Sequence, residues 1–260
     1  MLLAIDVGNT TVGLYGLEDG RICCEAHFIT DSGRTVSGCK AGLRDAFLRW
    51  GLGEEPVFDG VALTSVVPDV TPAMYACAER LSPQPILLAG HGLKTGLTLG
   101  VPHPEKVGVD RLMDAAAAAD GYPLPVITVD MGTATTFNVV DRDRVFRGCA
   151  IVPGLLTGLE ALHEKTAQLP LLEPAEPPAA IGKDTEGCIL SGAVLGAAAL
   201  IDGMAARFEA ELGEPATLVI TGGLSRWTEP HCLHPHIRDR HLLVKGLDLL
   251  YRLNPPETGR

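Results

Sequence analysis

The chain has 260 residues, of which 46% are apolar and 20% are charged, and this composition excludes disordered and fibrous proteins. Its formal net charge of -11 leaves no basic face for a phosphate backbone, so we expect small-molecule partners and no nucleic acid. The seven cysteines show no paired Cys-x-x-Cys spacing, which is typical of reduced thiols and indicates a cytoplasmic protein.

The beginning of the chain does not read as a targeting segment. Residues Met1 to Ile5 are apolar but have no basic flank, and the run meets Asp6, unlike a signal peptide. We also find no apolar run of the roughly 18 residues that a membrane-spanning helix needs. We therefore expect no membrane partner.

The N-terminal segment predicts a β-hairpin. Residues Leu2 to Leu17 form a short apolar strand, a polar Gly8-Asn9 turn and a second apolar strand. The helical spacing of Leu43, Phe47 and Trp50 predicts a helix over Thr35 to Trp50. The next predicted elements are strands at Gly60 to Val67 and Pro85 to Ala89, a mobile loop at Gly90 to Glu105, and a helix at Asp110 to Ala119.

The opening pattern returns near the middle of the chain. Pro125 to Asp130 is an apolar strand that runs into a glycine turn, and Asp130 follows Asp6 by 124 residues (130 minus 6), close to half the chain. This repeat predicts two related halves, residues 1–118 and 119–260. The later predicted elements are a helix or helix pair at Glu186 to Leu212, a strand at Thr217 to Ile220, and a closing strand and helix at His241 to Leu253.

The two repeated turns carry groups suited to a nucleotide and its metal. Asp6 and Asp130 supply carboxylates for magnesium, whereas Gly8 and Gly132 let the backbone approach a phosphate closely. Small hydroxyls follow at Thr10, Thr11 and Thr133. An isolated Asp-x-Gly turn often marks an ordinary hairpin, but two copies that both leave apolar strands favour a ligand site.

A third glycine turn, Thr221-Gly222-Gly223, follows the last predicted apolar strand. It could line the base or ribose of a nucleotide, and a plain strand-to-helix turn is an equally good interpretation. Together the three turns resemble those of the superfamily of acetate and sugar kinases, Hsp70 and actin. That resemblance implies an α/β fold of the actin-like ATPase type, with two RNase H-like half-domains whose mixed sheets are flanked by helices.

Further segments resemble a single family, the type III pantothenate kinases. Order and spacing agree over nearly the whole chain, which makes the resemblance specific. The resembling segments are Asp6-Val7-Gly8-Asn9-Thr10, Ser65-Val66-Val67-Pro68, Gly108-Val109-Asp110-Arg111, Asp130-Met131-Gly132-Thr133-Ala134, Ala150-Ile151-Val152-Pro153-Gly154, Thr166-Ala167-Gln168-Leu169-Pro170, Ile181-Gly182-Lys183-Asp184-Thr185, Thr221-Gly222-Gly223 and Lys245-Gly246-Leu247.

The family resemblance implies ATP-dependent phosphorylation of pantothenate to 4'-phosphopantothenate, the first step of coenzyme A biosynthesis. It implies a monovalent cation, potassium or ammonium, on Asp130, and an ATP contact from Thr133. Asp6 would hold magnesium, through water, and Gly222 and Gly223 would line the nucleotide. The first ATP loop would comprise Asp6, Val7, Gly8, Asn9, Thr10, Thr11, Val12 and Gly13.

The resemblance also assigns the pantothenate site. Asp110 would be the catalytic proton acceptor, and Gly108, Val109 and Arg111 would contact the substrate beside it. Thr185 would reach pantothenate from the partner subunit of a homodimer. Relatives usually carry a tyrosine where this chain has Val101, so that contact could be weakened, shifted to His103, or adapted to another substrate.

The chemistry of a carboxylate limits the role of Asp110. An aspartate is a far weaker base than an alkoxide, so it cannot deprotonate a hydroxyl group before phosphoryl transfer begins. It can orient the hydroxyl and accept the proton late, which suffices for a loose, metaphosphate-like transition state. The structural alternative is a helix-starting aspartate paired with Arg111, which could itself be an ordinary surface arginine.

Two other functions remain open at the level of sequence. Related chains with this fold act as non-catalytic accessory proteins of transcription, although the presence of Asp6, Asp110 and Asp130 favours a kinase. A kinase of another small hydroxylated substrate would differ only in the pocket, where Val101 is its single support. Outside these motifs, Cys23-Cys24 lies in a strand-like run, and we expect both residues to pack as small core side chains.

Overall fold

A computed structural model describes residues 1–177 and 179–255. Its contacts divide the chain into two compact units. The first comprises Met1–Gly96, Val107–Met113 and residues 243–255, and the second comprises Leu97–Lys106 and the described residues of Asp114–Leu242. The units therefore differ from the contiguous halves 1–118 and 119–260, because the C-terminal helix packs in the first unit and residues 97–106 pair in the second.

The sheet of the first unit is built around the predicted hairpin. Its strands are β1 (Leu2–Val7), β2 (Thr11–Glu18), β3 (Arg21–Ile29), β4 (Gly60–Ser65) and β5 (Leu87–Leu88), in the order β3-β2-β1-β4-β5 within the described residues. Strand β1 pairs antiparallel with β2 and parallel with β4. The hairpin and the strand predicted from Gly60 are confirmed, whereas the predicted strand Pro85 to Ala89 is reduced to two residues.

Strand β1 is apolar except for Asp6, because helices cover both faces of its sheet. Leu3 and Ile5 face a core that includes Phe47, while Leu2 and Ala4 face the opposite side. The helices of this unit are α1 (Val36–Arg49), α2 (Thr71–Ala78), the start of α3 (Val109–Gly121) and most of α8 (Leu242–Leu253). Predicted helices at residues 35–50 and 110–119 are confirmed as α1 and α3.

The sheet of the second unit repeats the central pairing of the first. Its strands are β6 (Thr98–Leu99), β7 (Val126–Met131), β8 (Ala134–Val140), β9 (Val145–Pro153), β10 (Thr217–Thr221) and β11 (His236–Arg238), in the order β11-β10-β7-β8-β9-β6. Strand β7 pairs antiparallel with β8 and parallel with β10, as β1 does with β2 and β4. The repeat seen in the sequence is thus a repeat of local topology.

One segment predicted as a mobile loop belongs to this sheet. Within Gly90 to Glu105, strand β6 pairs with β9, and the Gly100 amide donates to the Phe146 carbonyl oxygen at 3.0 Å. A strand of two residues is too short to show an alternating apolar pattern, so the sequence alone does not reveal it. The prediction of a loop was therefore wrong at these positions.

The helices of the second unit include one long apolar run. They are the rest of α3, α4 (Leu155–Lys165), α5 (Thr185–Leu190), α6 (Gly196–Leu212) and α7 (Ser225–Thr228). A π-helical turn at Ser191–Leu195 joins α5 to α6. The joined run Thr185–Leu212 has 28 residues. Among the described residues, it is the one helix that is long and apolar enough to cross a membrane. Core helices of soluble proteins can also be this long and apolar. The Asp184 carboxylate caps α5 by accepting from the Gly187 amide at 2.7 Å.

Helix α8 meets the start of α3 through a glycine. A side-chain carbon added at Gly246 would lie 2.8 Å from the carbonyl carbon of Met113 and 2.9 Å from its Cβ. The two helix backbones therefore approach more closely than any other residue type allows. This contact fixes α3, the helix that begins with Val109 and Asp110.

The substitution Gly246→Ala should lower the free energy of unfolding by about 1–3 kcal/mol, because the added methyl group must push α8 away from α3. Urea unfolding followed by circular dichroism measures the change. The matched control is Gly158→Ala on α4, where nothing lies within 4 Å of an added carbon and helix propensity should stabilise by up to about 1 kcal/mol. Equal effects of the two substitutions would contradict the close helix contact.

Candidate active site

The turn after β1 is held in shape from two directions. Inside it, the Gly8 amide donates to the Thr11 carbonyl oxygen at 3.0 Å. From the end of β3, the Thr30 hydroxyl donates to the Gly8 carbonyl oxygen at 2.7 Å and the Thr30 amide donates to the Thr10 carbonyl oxygen at 3.0 Å. The side chains of Asn9, Thr10 and Thr11 are exposed, so hydroxyl and amide groups face solvent on a fixed backbone.

The other residues of the predicted ATP loop lie in the two strands that carry this turn. Val7 and Val12 form the last pair of the hairpin and are fully buried, so only their backbone atoms can reach a ligand. A carbon added at Gly13 would lie 2.7 Å from the Tyr15 ring, which makes Gly13 a packing position. Asp6 is half-buried on β1, where it pairs with Gly13.

The second turn is anchored in the same way. The Gly132 amide donates to the Ala134 carbonyl oxygen at 3.0 Å. The carbonyl oxygen of Thr133 accepts from the Gly154 amide at 3.0 Å and from the Thr157 hydroxyl at 2.8 Å. The Thr133 side chain is exposed, so its hydroxyl is available to a phosphate.

The third turn lies directly against Asp130. A side-chain carbon added at Gly222 would collide with Asp130 Oδ1 and with the Met131 amide, and would lie 2.6 Å from the Met131 carbonyl oxygen. Gly222 also has a φ of +91°, a conformation that favours glycine. The turn leads into α7, as expected of an ordinary strand-to-helix turn. It also borders the second acidic turn. Gly223 is exposed.

Two oxygens next to Gly222 suit a hard cation. Asp130 Oδ1 and the Met131 carbonyl oxygen both lie within the space that one added carbon would occupy. Carboxylate and carbonyl oxygens are the donors that hard cations prefer. The chemistry of these two oxygens is therefore compatible with a monovalent cation and with magnesium.

The start of α3 brings two charged groups around one glycine. Gly108 accepts the first hydrogen bond of the helix, from the Leu112 amide at 3.2 Å. A carbon added at Gly108 would lie 2.5 Å from Asp110 Oδ1 and 3.3 Å from Arg111 Nε. Val109, Asp110 and Arg111 are all half-buried. A glycine at position 108 is therefore required for the carboxylate and the guanidinium group to occupy these positions.

Thr185 and Val101 lie on other elements of the second unit. Thr185 begins α5, is exposed, and lines an open groove of about 630 Å³ with Gly182, Lys183 and Cys188. Val101 is half-buried. It directly follows Gly100, whose amide donates a hydrogen bond to strand β9. The structure therefore brings Gly222 to Asp130 and brings Gly108 to Asp110 and Arg111, and it places Thr185 at the start of α5 in the second unit.

Sequence reasoning missed the two threonines that anchor the turns. Thr30 lies 22 residues after Gly8, and Thr157 lies 24 residues after Thr133. Each donates its hydroxyl to a turn carbonyl oxygen from the segment that follows the hairpin. The near-equal separation is a signal that a comparison of the two halves could have found.

Comparison with known proteins gives consistent results. A family model described as type III pantothenate kinase matches residues 2–207. A type III pantothenate kinase from Listeria monocytogenes serovar 1/2a is 38% identical over 263 residues, covering 100% of both chains. One from Hyphomonas neptunium is 37% identical over 261 residues, covering 98% of this chain and 100% of its own.

A solved structure shares the fold at low identity. A Campylobacter jejuni protein described as a Baf family transcriptional activator has a TM-score of 0.59 at 15% identity, covering 97% of this chain and 98% of its own. Likeness at this identity shows the fold alone, and it confirms the predicted α/β architecture with two mixed sheets flanked by helices. The family match and the full-length relatives go further: the chain belongs to the type III pantothenate kinase family.

Proposed function

We propose that the protein uses ATP to phosphorylate pantothenate to 4'-phosphopantothenate, the first step of coenzyme A biosynthesis. The observation that carries this proposal is the arrangement around Gly108, where a carboxylate and a guanidinium group share one face in a chain of this family. Asp110 can hydrogen-bond the hydroxyl group that attacks the phosphoryl group. Arg111 offers planar, paired donors for the oxygen-rich substrate, its carboxylate included.

Asp110 acts by positioning and by late proton acceptance. Phosphoryl transfer through a loose transition state requires an oriented nucleophile more than an early alkoxide. A carboxylate at the first turn of a helix is also stabilised by the positive end of the helix dipole. The Asp110 carboxylate can therefore accept a hydrogen bond from the substrate hydroxyl.

The two anchored turns provide the nucleotide contacts in this proposal. The exposed Asn9 side-chain amide and the Thr10 and Thr11 hydroxyls bind phosphate oxygens, and the Thr133 hydroxyl does so from the second turn. Asp6 holds magnesium through water, which leaves room for the several waters that this ion retains. When bound, magnesium neutralises charge on the phosphates. Gly222 and Gly223 line the nucleotide.

The substitution Asp110→Asn should lower turnover by roughly 100- to 10,000-fold, the usual value of general-base help, while ATP affinity stays unchanged. Steady-state kinetics and nucleotide titration measure the two effects separately. The control is Asp45→Asn, which alters an exposed aspartate paired with Arg49 on α1. Unchanged turnover in Asp110→Asn would remove this residue from the mechanism.

We also propose that Asp130 holds potassium or ammonium. Support comes from the two oxygens beside Gly222. Coupled ATP turnover with pantothenate should be faster in potassium than in sodium at fixed magnesium, and Asp130→Asn should abolish the difference. Equal turnover in potassium and in sodium would count against the cation-binding role of Asp130, but not against the kinase proposal.

The same assay separates the alternative functions. Absence of pantothenate-dependent turnover in both salts would overturn the kinase proposal and favour an accessory protein of transcription. Turnover with another hydroxylated substrate in preference to pantothenate would favour a changed pocket, with Val101 as the first residue to restore to tyrosine.

A homodimer is part of the proposal because Thr185 begins a helix whose apolar surface is largely uncovered. Only 28% of the most apolar window of Thr185–Leu212 is buried. Small residues occur on the exposed face at Gly192, Gly196 and Ala199, beside the exposed Leu200. Such a face permits close packing of two helices, so we infer that it pairs with its copy in a second subunit.

The substitution Leu200→Glu should convert the dimer to a monomer, because it places a charge in the apolar interface, and should raise the KM for pantothenate. Light scattering after size-exclusion chromatography measures the mass. The matched control is Leu48→Glu, at an exposed leucine of α1, which should remain dimeric. A monomeric wild-type protein with full activity would contradict the dimer, and a protein recovered only with detergent would favour a membrane role for the helix.

The cytoplasm is the proposed location. All seven cysteines are free thiols in the structure. Free thiols in this number are typical of a reducing compartment.

A further inference from the structure

A β-bulge places two neighbouring cysteines on one side of β3. Gly16 pairs with Cys24, but Leu17 pairs with Ile22, so Cys23 is an extra residue in the ladder. Adjacent side chains in a regular strand point to opposite faces, and a bulge locally breaks this alternation. The structure thereby corrects the expectation of two core cysteines, since Cys23 is exposed and Cys24 is half-buried.

Three sulfur atoms converge over Gly16. Cys23 Sγ lies 3.8 Å from Cys24 Sγ and 3.6 Å from Met1 Sδ. A carbon added at Gly16 would lie 2.5 Å from Cys24 Sγ and 2.7 Å from Met1 Sδ. A glycine at this position of β2 is therefore what leaves room for the three sulfurs.

Met1 is held in place independently of its sulfur. Its ammonium group forms an ion pair with Asp59, and its carbonyl oxygen accepts from the Asp59 amide at 3.0 Å. The Met1 side chain is 16% exposed and packs against the core of the first unit. The thioether thus reaches the two thiols from a fixed backbone, which reduces the entropy lost when a ligand binds.

The separations match the geometry of a metal held by three sulfurs. With metal–sulfur bonds of roughly 2.3 Å, as for thiolates on zinc, a trigonal arrangement places the sulfurs roughly 4 Å apart. The two recorded distances are 3.6 and 3.8 Å. Thiolate and thioether ligands together select soft ions, Cu(I) above all, over the hard cations of the nucleotide site.

We propose that Cys23, Cys24 and Met1 form a binding site for Cu(I). Two thiol protons are released to solvent when the ion binds, two copper–thiolate bonds form, and copper stays in the +1 state, so no oxidant or reductant is consumed. The exposed Cys23 gives the ion access from solvent. This site is independent of the proposed kinase activity.

The test is an anaerobic titration of the full chain with Cu(I) against a chromophoric Cu(I) chelator. The wild-type protein should retain one equivalent. Cys23→Ser and Cys24→Ser should each weaken binding by more than about 100-fold. Loss of a residue that only contacts a metal ligand typically costs about 10- to 100-fold. Cys149→Ser, at an exposed cysteine of β9, is the control and should bind as the wild type does. Thermal melts of the metal-free variants check that each is folded.

Met1 is tested by replacing methionine with selenomethionine and measuring X-ray absorption at the copper edge. A copper–selenium distance is expected, because the four other methionines lie elsewhere in the chain. If no copper–selenium distance is observed, the three-sulfur site is wrong. The site is also wrong if both serine variants still bind one equivalent of Cu(I) tightly, or if the wild-type protein binds none.

Discussion

Each acidic turn keeps its shape because a threonine from the segment after its hairpin donates a hydroxyl hydrogen bond to a turn carbonyl oxygen. Thr30 does this for Gly8 at 2.7 Å and Thr157 for Thr133 at 2.8 Å. These hydrogen bonds hold the backbone of each tip while the side chains of Asn9, Thr10, Thr11 and Thr133 remain exposed. Removal of such a partner leaves a polar group unsatisfied, which typically costs about 1–3 kcal/mol.

The functional segments also depend on backbone approaches that only glycine permits. Gly222 lies against Asp130, Gly108 lies between Asp110 and Arg111, and Gly246 lies against Met113. In each case a side chain would displace a charged group or the helix that carries one. The glycines at these positions are therefore steric requirements for the observed arrangement of the site.

Much of the fold could be predicted because its strongest signals are local. The hairpin at Leu2 to Leu17 and its echo at Asp130 are apolar strands that end in glycine turns, and both were confirmed. Strand β3 was not delimited because its inward positions are only half-buried and its exposed positions mix Arg, Cys, Glu, His and Ile residues. Helix α2 was missed because it is short and follows directly on a turn.

The remaining differences arise from contacts between distant parts of the chain. Strand β6 exists through its pairing with β9, and α8, the last helix, completes the core around Met113. The residues of the candidate site were identified through motifs, but their partners Thr30 and Thr157 contact them across more than 20 residues of sequence. The residues next to each threonine give no sign of this contact, and only the similar separation in the two halves of the chain points to it.

The π-helical turn at Ser191–Leu195 has a consequence for comparing this chain with its relatives. A turn of this type accommodates one residue more than an α-helical turn, so it rotates everything after it by about 100° relative to everything before it. Thr185 and Leu200 are therefore not on faces related by a regular helical repeat. An alignment that shifts by one residue within this turn would assign the surfaces of the two flanking helices to the wrong sides of the protein.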